Sequence, residues 1–127
     1  MVKFAFDLTQ DEDLIVLKAN LNSEIVSLIV DTGSSNTILD SNCIIIADVK
    51  TRFIEKKYFE SAAGIVETET LSIEGLKLGD IDITLVNTYD FLEYGLASNY
   101  QGIIGIDFLK RHSAVINFKE RIITLEE

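Results

Sequence analysis

One stretch of this chain combines residue types that could do chemistry: Ile29-Val30-Asp31-Thr32-Gly33-Ser34-Ser35. A β-branched apolar run leads straight into a carboxylate. Turn-forming residues follow at once, and a second apolar run, Thr37-Ile38-Leu39, starts beyond them. An aspartate that merely caps a turn usually stands further from a core strand. Here a buried strand delivers one acid to a tight, glycine-containing turn, which is how a fold presents a catalytic carboxylate. Such a group can draw a proton from water or give one to a carbonyl oxygen. One carboxylate cannot be base and acid in the same event, and no other acid of this chain stands in a comparable turn.

The rest of the composition narrows the chemistry further. There is one histidine, His112, and one cysteine, Cys43. That argues against a Ser-His-Asp triad, a zinc centre built on histidine and cysteine, an intrachain disulfide or a multi-cysteine metal site. The net charge of −10 argues against nucleic acid or an anionic membrane as partner. With 127 residues, 47% of them hydrophobic, the chain is expected to form a single domain, 1–127, with a proper core. No signal peptide and no run long enough to span a bilayer is seen, which favours the cytoplasm.

The elements that must position Asp31 read mainly as strands. Residues 2–8 alternate, residues 14–21 and 25–30 form a hairpin around Asn22-Ser23, and residues 37–39 make a short apolar run. Residues 43–46 are apolar and could be helix or strand. Residues 51–60 are charged and extended, and the alternation at 67–74 suits a long, partly exposed hairpin with Ser61-Ala62-Ala63-Gly64 at its turn. Residues 81–86 read as a strand, 89–100 as an aromatic irregular loop, and 102–105 as a buried strand bounded by glycines. Residues 106–112 read as a helix, and 114–118 with 121–125 as a last hairpin. The expected fold is all-β, a closed, curved barrel with one short helix near the C-terminus.

Leu28-Ile29-Val30-Asp31-Thr32-Gly33-Ser34-Ser35-Asn36-Thr37-Ile38-Leu39 resembles the active-site loop of aspartic proteases. Gly102-Ile103-Ile104-Gly105-Ile106-Asp107-Phe108-Leu109 resembles their second signature, whose strand packs under the Asp-Thr-Gly turn. Asp-Thr-Gly alone is a weak signal; both signatures together are a specific one. The chain has one such turn and one lobe's length, so it resembles the single-domain, retropepsin-like branch, which homodimerises and contributes one aspartate per subunit. A two-fold axis would bring two copies of the loop together, as the lone-carboxylate argument also requires. The resemblance implies an aspartic endopeptidase acting on peptide or protein substrates, with no cofactor and no metal.

On the same resemblance, Asp31 is the catalytic residue. Thr32 would hydrogen-bond across the axis, Gly33 would leave space for substrate backbone, and Ser34 would donate to the outer oxygen of Asp31. Ser35 and Asn36 would contact substrate, and so would Ala63, Gly64 and Ile65 at the tip of a flap that closes over it. The residues also allow plainer readings. Asp107 fits a helix first-turn acid, His112 a cation at the end of that helix, and Cys43 a small buried residue. Asp11-Glu12-Asp13 fits a solvated turn, and Gly64 an ordinary hairpin glycine. Phe91, Tyr94 and Tyr100 line a pocket or pack a loop. A second function class stays open beside the protease: a catalytically inactive relative that serves as a peptide-binding or dimerisation module.

Overall fold

In a computed structural model of the chain, residues 1–10, 13–61, 64–94 and 99–127 are described. In chain order the elements are β1 (Val2–Ala5), β2 (Asp7–Leu8), β3 (Ile15–Leu21), β4 (Glu24–Val30), β5 (Ile38–Asp40), α1 (Ser41–Ile46), β6 (Thr51–Ser61) and β7 (Gly64–Ile73). They continue as β8 (Leu76–Leu78), β9 (Ile81–Asp82), β10 (Leu85–Tyr89), β11 (Gly102–Ile104), α2 (Ile106–Arg111), β12 (Val115–Asn117) and β13 (Ile122–Leu125).

Strands β3 and β4 show why the sequence folds this way. In β3, Ile15, Leu17, Ala19 and Leu21 are buried while Lys18 and Asn20 are exposed, the period-2 signature of a strand with one face on the core. In β4 every residue from Val26 to Val30 is buried. Such a strand must be covered on both faces, hence its nearly unbroken apolar run, in which the one polar residue, Ser27, donates its N–H to Gln101 Oε1. The two pair antiparallel with Leu21 opposite Glu24, closing a two-residue turn in which Asn22 takes φ +53°.

The long sheet runs β6-β7-β10-β5-β11-β4-β3-β8-β9, with β2 also on β3. It is curled, but its outer strands β6 and β9 do not pair, so the sheet is an open half-barrel and the expected closed barrel is not formed. The ends explain this. β9 has only two residues, and β6 belongs to a hairpin whose first residues, 51–56, are all exposed. A second sheet, β1-β13-β12, joins the two ends of the chain. The last strand, β13, is the centre of that sheet, with Val2 opposite Leu125 on one side and Val115 opposite Thr124 on the other.

Two segments that read as single strands change partner midway. Residues 2–8 split at the buried Phe6, whose N–H donates to Arg121 O, so β1 joins the terminal sheet and β2 the long one. Residues 81–86 split where Ile83 N–H donates to Leu76 O and Thr84 O accepts from Ile73 N–H, passing the chain from β8 to β7. Residues 43–46, whose apolar run suits helix or strand, lie in the helix α1. The side chain of Asp40 caps that helix by accepting from Asn42 N–H. The helix near the C-terminus is present as α2. Leu21, Leu78, Ile104, Ile123 and Leu125 are fully excluded from solvent and belong to one apolar cluster that both sheets share.

Cys43 lies against this core, half-buried beside the Asp40 carboxylate. Burial first, and the Asp40 charge second, push its thiol up from 9.0 to about 11. The folded chain thus holds this proton between pH 9 and pH 11 while the unfolded chain releases it. Stability from this group is present below pH 9 and lost as the pH rises to about 11. Urea midpoints measured from pH 8 upward should fall across that window. A Cys43→Ala chain should show a shallower decline, and the wild-type thiol should alkylate slowly at pH 8.

Candidate active site around Asp31

Asp31 leaves the end of β4, and the chain re-enters the sheet at β5. Between those strands lies β11, parallel to β4 with Ile104 opposite Val30, and antiparallel to β5 with Ile103 opposite Ile38. The loop 31–37 therefore crosses the C-terminal end of β11, and the second apolar signature does sit beneath the first. Asp31 N–H donates to Ile104 O at 3.0 Å, and Ile106 N–H donates to Ser34 O at 2.8 Å. Gly105 lies between these bonds. A Cβ there would sit 2.4 Å from Asn36 O and 2.9 Å from Ser34 O, so only glycine allows the loop backbone this close.

A side-chain relay completes the clamp. Gly105 N–H donates to Thr37 Oγ1 at 3.2 Å. The Thr37 hydroxyl donates to Asp107 Oδ1 at 2.8 Å, and Thr37 N–H donates to Asp107 Oδ2 at 3.1 Å. Thr37 is buried. Asp107 does lie in the first turn of α2, but its carboxylate also ties that helix to the far end of the Asp31 loop. Sequence reasoning missed this role, because the partners lie 70 residues apart.

Within the loop, Ser34 N–H donates to Asp31 O at 3.1 Å and closes the tight turn. Gly33 N–H donates to Asp31 Oδ1 at 2.8 Å. The Ser34 hydroxyl does not donate to Asp31, as the resemblance implied; its proton goes to Asn36 O at 2.8 Å. The physical reason is that a hydroxyl has one proton, and here the nearby turn carbonyl accepts it. Asp31, Thr32 and Gly33 form the exposed crest of the loop. Among the described residues no side chain hydrogen-bonds to Thr32.

Asp31 opens onto a cavity of about 310 Å³. Gly33, Ser34, Ser35 and Asn36 line its floor with Asp31, Ile38 and Ile103 come from the strands beneath, and Tyr89 stands at the side. Phe59, Glu60 and Val66 of the β6–β7 hairpin line it as well, and Phe59 pairs with Val66 in register. The structure thus brings Gly33, Ser35 and Asn36 together with Asp31. Gly64 and Ile65 do not line the cavity. Ala63 lies outside the described residues. Gly64 takes φ +108°, a conformation that favours glycine, at the end of the hairpin.

Phe59, Val66 and Tyr89 line the cavity without any sequence signal strong enough to place them there. The residues read Tyr89 as the start of an aromatic loop, whereas it is the last residue of β10. Its ring packs against Phe91 and Tyr94, at centroid distances of 5.0 and 5.4 Å. Burial, then the charges of Tyr100, Asp40 and Tyr94, raise its phenol above the ordinary value, so it stays a neutral hydroxyl. Phe91, Tyr94 and Tyr100 do not line the Asp31 cavity. His112 ends α2, with Nδ1 2.7 Å from Glu126 O and its ring against Phe108. Among the described residues no three His, Cys, Asp or Glu side chains are grouped to hold a metal ion. No helix among them is long and apolar enough to cross a membrane.

A curled, mostly β sheet in which one strand lies between the strands entering and leaving an Asp-Thr-Gly turn is the retropepsin-like fold. A family model described as "gag-polyprotein putative aspartyl protease" matches residues 17–111. The chain belongs to that family of retropepsin-like aspartic proteases. Among solved structures it is similar to a retropepsin-like aspartic protease from Rickettsia conorii, at TM-score 0.69 and 15% identity over 98% of this chain and 99% of that one. It is also similar to the retroviral protease-like domain of Ddi1 from Leishmania major, at TM-score 0.56 and 16% identity over 90% and 89% of the two chains. A third similar structure is the EIAV protease complexed with the inhibitor HBY-793, at TM-score 0.58 and 19% identity over 83% and 93%. At these identities the likeness is one of fold. No curated protein sequence matches the chain.

The clamp can be tested apart from any activity. Gly105→Ala would force the Asp31 loop off β11 and should cost about 1–3 kcal/mol in urea unfolding. Asp107→Ala would leave the buried Thr37 N–H without its acceptor and should cost about 1–3 kcal/mol. Asp107→Asn keeps one acceptor oxygen and should cost less.

Proposed function

We propose that this chain is an aspartic endopeptidase that works as a homodimer, each copy contributing Asp31. The observation that carries the reading is the position of Asp31. It is exposed at the crest of a loop clamped rigidly from below, and it faces a cavity walled on the other side by the β6–β7 hairpin. A carboxylate placed for structure alone would be engaged by its surroundings. This one has a single described hydrogen bond, from Gly33 N–H.

The chemistry follows from pairing two such loops on a two-fold axis. Carboxylates about 3 Å apart cannot both ionise, so they share one proton and titrate as a pair in two separated steps. The ionised carboxylate draws a proton from a water held between them. The protonated one donates a hydrogen bond to the scissile carbonyl oxygen. Water adds to the carbonyl carbon to give a gem-diol, and the amide nitrogen takes a proton as the C–N bond breaks. Gly33 N–H, on Asp31 Oδ1, supports the ionised form. Thr32, exposed beside Asp31, is available to the opposite loop. The hairpin carrying Phe59, Val66 and the Gly64 turn is the candidate flap, with Ser35 and Asn36 contributing substrate contacts from the floor.

Sedimentation equilibrium combined with cleavage of a peptide library tests this. Cleavage should rise with the dimer fraction, and Asp31→Asn should lower kcat/KM by at least about a hundredfold while leaving the dimer intact. A chain that remains monomeric at high concentration, or cleavage indifferent to Asp31→Asn, would sink the proposal. A dimer that binds peptides without cleaving them would instead favour the inactive, peptide-binding relative.

A further inference from the structure

Strand register sets six of the residues that line the Asp31 cavity on one face of the long sheet. Ile29, two residues before Asp31, lies beside Ile103, Ile103 beside Ile38, and Ile38 beside Asn87, two residues before Tyr89. Asn87 lies beside Thr70, and Val66, four residues before Thr70 in the same strand, lies beside Phe59. Residues side by side on neighbouring strands share a face, and so do residues two apart in one strand. Asp31, Ile103, Ile38, Tyr89, Val66 and Phe59 therefore border one space, and all six line it. Tyr58 and its partner Glu67 fall on the other face of the hairpin.

Of these, Phe59 and Tyr89 are aromatic, and they differ in what holds them. Phe59 is carried by the β6–β7 hairpin, near its turn. Tyr89 belongs to a fixed wall. It lies beside Asp40, which is buried and accepts from Phe91 N–H at 3.3 Å. Phe91, itself fully buried, and Tyr94 pack against the Tyr89 ring, and neither lines the cavity. The ring is thus braced by residues outside the cavity that it walls.

Ile38, Ile103 and Val66 favour any apolar side chain through the area it buries. A ring adds a preference that area does not. Its face is partly negative and its edge partly positive, so a second ring gains an edge-to-face or offset contact that a saturated group of similar shape lacks. A ring already held in place gives up little freedom in making that contact.

We propose that Tyr89 determines specificity: it makes the Asp31 cleft select a peptide with an aromatic side chain at the position that reaches this wall over one with a saturated ring there. The inference rests on the proposed binding of peptides in this cleft, and its test separates the two.

Fluorescent peptides that differ only in phenylalanine or cyclohexylalanine at each position in turn are titrated into the full-length Asp31→Asn chain, and binding is read by anisotropy. At one position or more the phenylalanine peptide should bind about two- to fivefold more tightly. Adding Tyr89→Leu should bring the two affinities level, and Tyr89→Ile repeats the measurement with a second side chain that has no ring. Tyr89→Phe keeps the ring and should keep the preference. Tyr58→Leu removes an exposed ring from the other face of the hairpin and should keep it as well. A preference that survives Tyr89→Leu and Tyr89→Ile, or that Tyr89→Phe or Tyr58→Leu abolishes equally, overturns the role of Tyr89. So does binding with no preference for phenylalanine at any position. Binding of no peptide at all would defeat the reading of the cleft, and this inference with it. Because binding is read without cleavage, an inactive wild-type chain would defeat the endopeptidase reading alone.

Discussion

The crossing of the Asp31 loop over the end of β11 is the constraint on which the rest of the structure depends. Asp31 N–H and Ser34 O are bonded to Ile104 and Ile106, and Gly105 between them has no side chain to hold the backbones apart. This requires β11 to lie between β4 and β5, so that a strand from late in the chain separates two that are near neighbours in sequence. The close fit recurs lower in the sheet. A Cβ on Gly102 would lie 2.5 Å from Ile38 O, so the same strand meets β5 closely at its start as well. Loop-closure entropy opposes such non-local pairing. It is offset by burying Val30, Leu39 and Ile104 in the common core.

The polar groups of this region are satisfied rather than excluded. Thr37, Thr70, Asn87 and Thr88 are all buried. Thr70 bonds Asn87 at 2.7 Å, Thr88 bonds Leu39 O at 2.7 Å, and Thr37 bonds Asp107. Among the described residues no buried side-chain nitrogen or oxygen lacks a partner. A satisfied network in a low-dielectric interior fixes one arrangement, because any displaced member would be left without its bond. The result is a rigid base under an exposed crest. That suits a group whose chemistry depends on orientation more than on adjustment.

The terminal sheet shows how the same fold can be completed within one chain. β13 lies between β1 and β12 and pairs along both, so the two ends of the chain are joined without a second molecule. Its inward residues Ile123 and Leu125 are fully buried with those of the long sheet. The hydrophobic C-terminal strand is thereby drawn into the core, and the edges left open in this sheet are those of β1 and β12.

Much of this was legible in the residues. The strand–Asp-Thr-Gly–strand pattern, the Asn22-Ser23 hairpin and α2 could be read because apolar periodicity and turn chemistry are local properties, whereas the relation of Ile103-Ile104-Gly105 to the Asp31 turn came only from the resemblance to aspartic proteases. Residues 2–8 and 81–86 could not be divided correctly. The breaks at Phe6 and at Ile83-Thr84 come from a change of strand partner, which leaves alternation almost intact. Barrel closure could not be read either, since it depends on whether two distant edges meet. In the site, the sequence determined which carboxylate is presented and what kind of turn presents it, because a strand, an acid and a glycine in succession act over a few bonds. Only the tertiary structure decided that the Ser34 hydroxyl turns to Asn36, that Asp107 clamps Thr37, and that Phe59, Glu60, Val66 and Tyr89 wall the cavity. These contacts are fixed by packing and by competition for hydrogen bonds, most of them between segments far apart in the chain, and no local pattern encodes them.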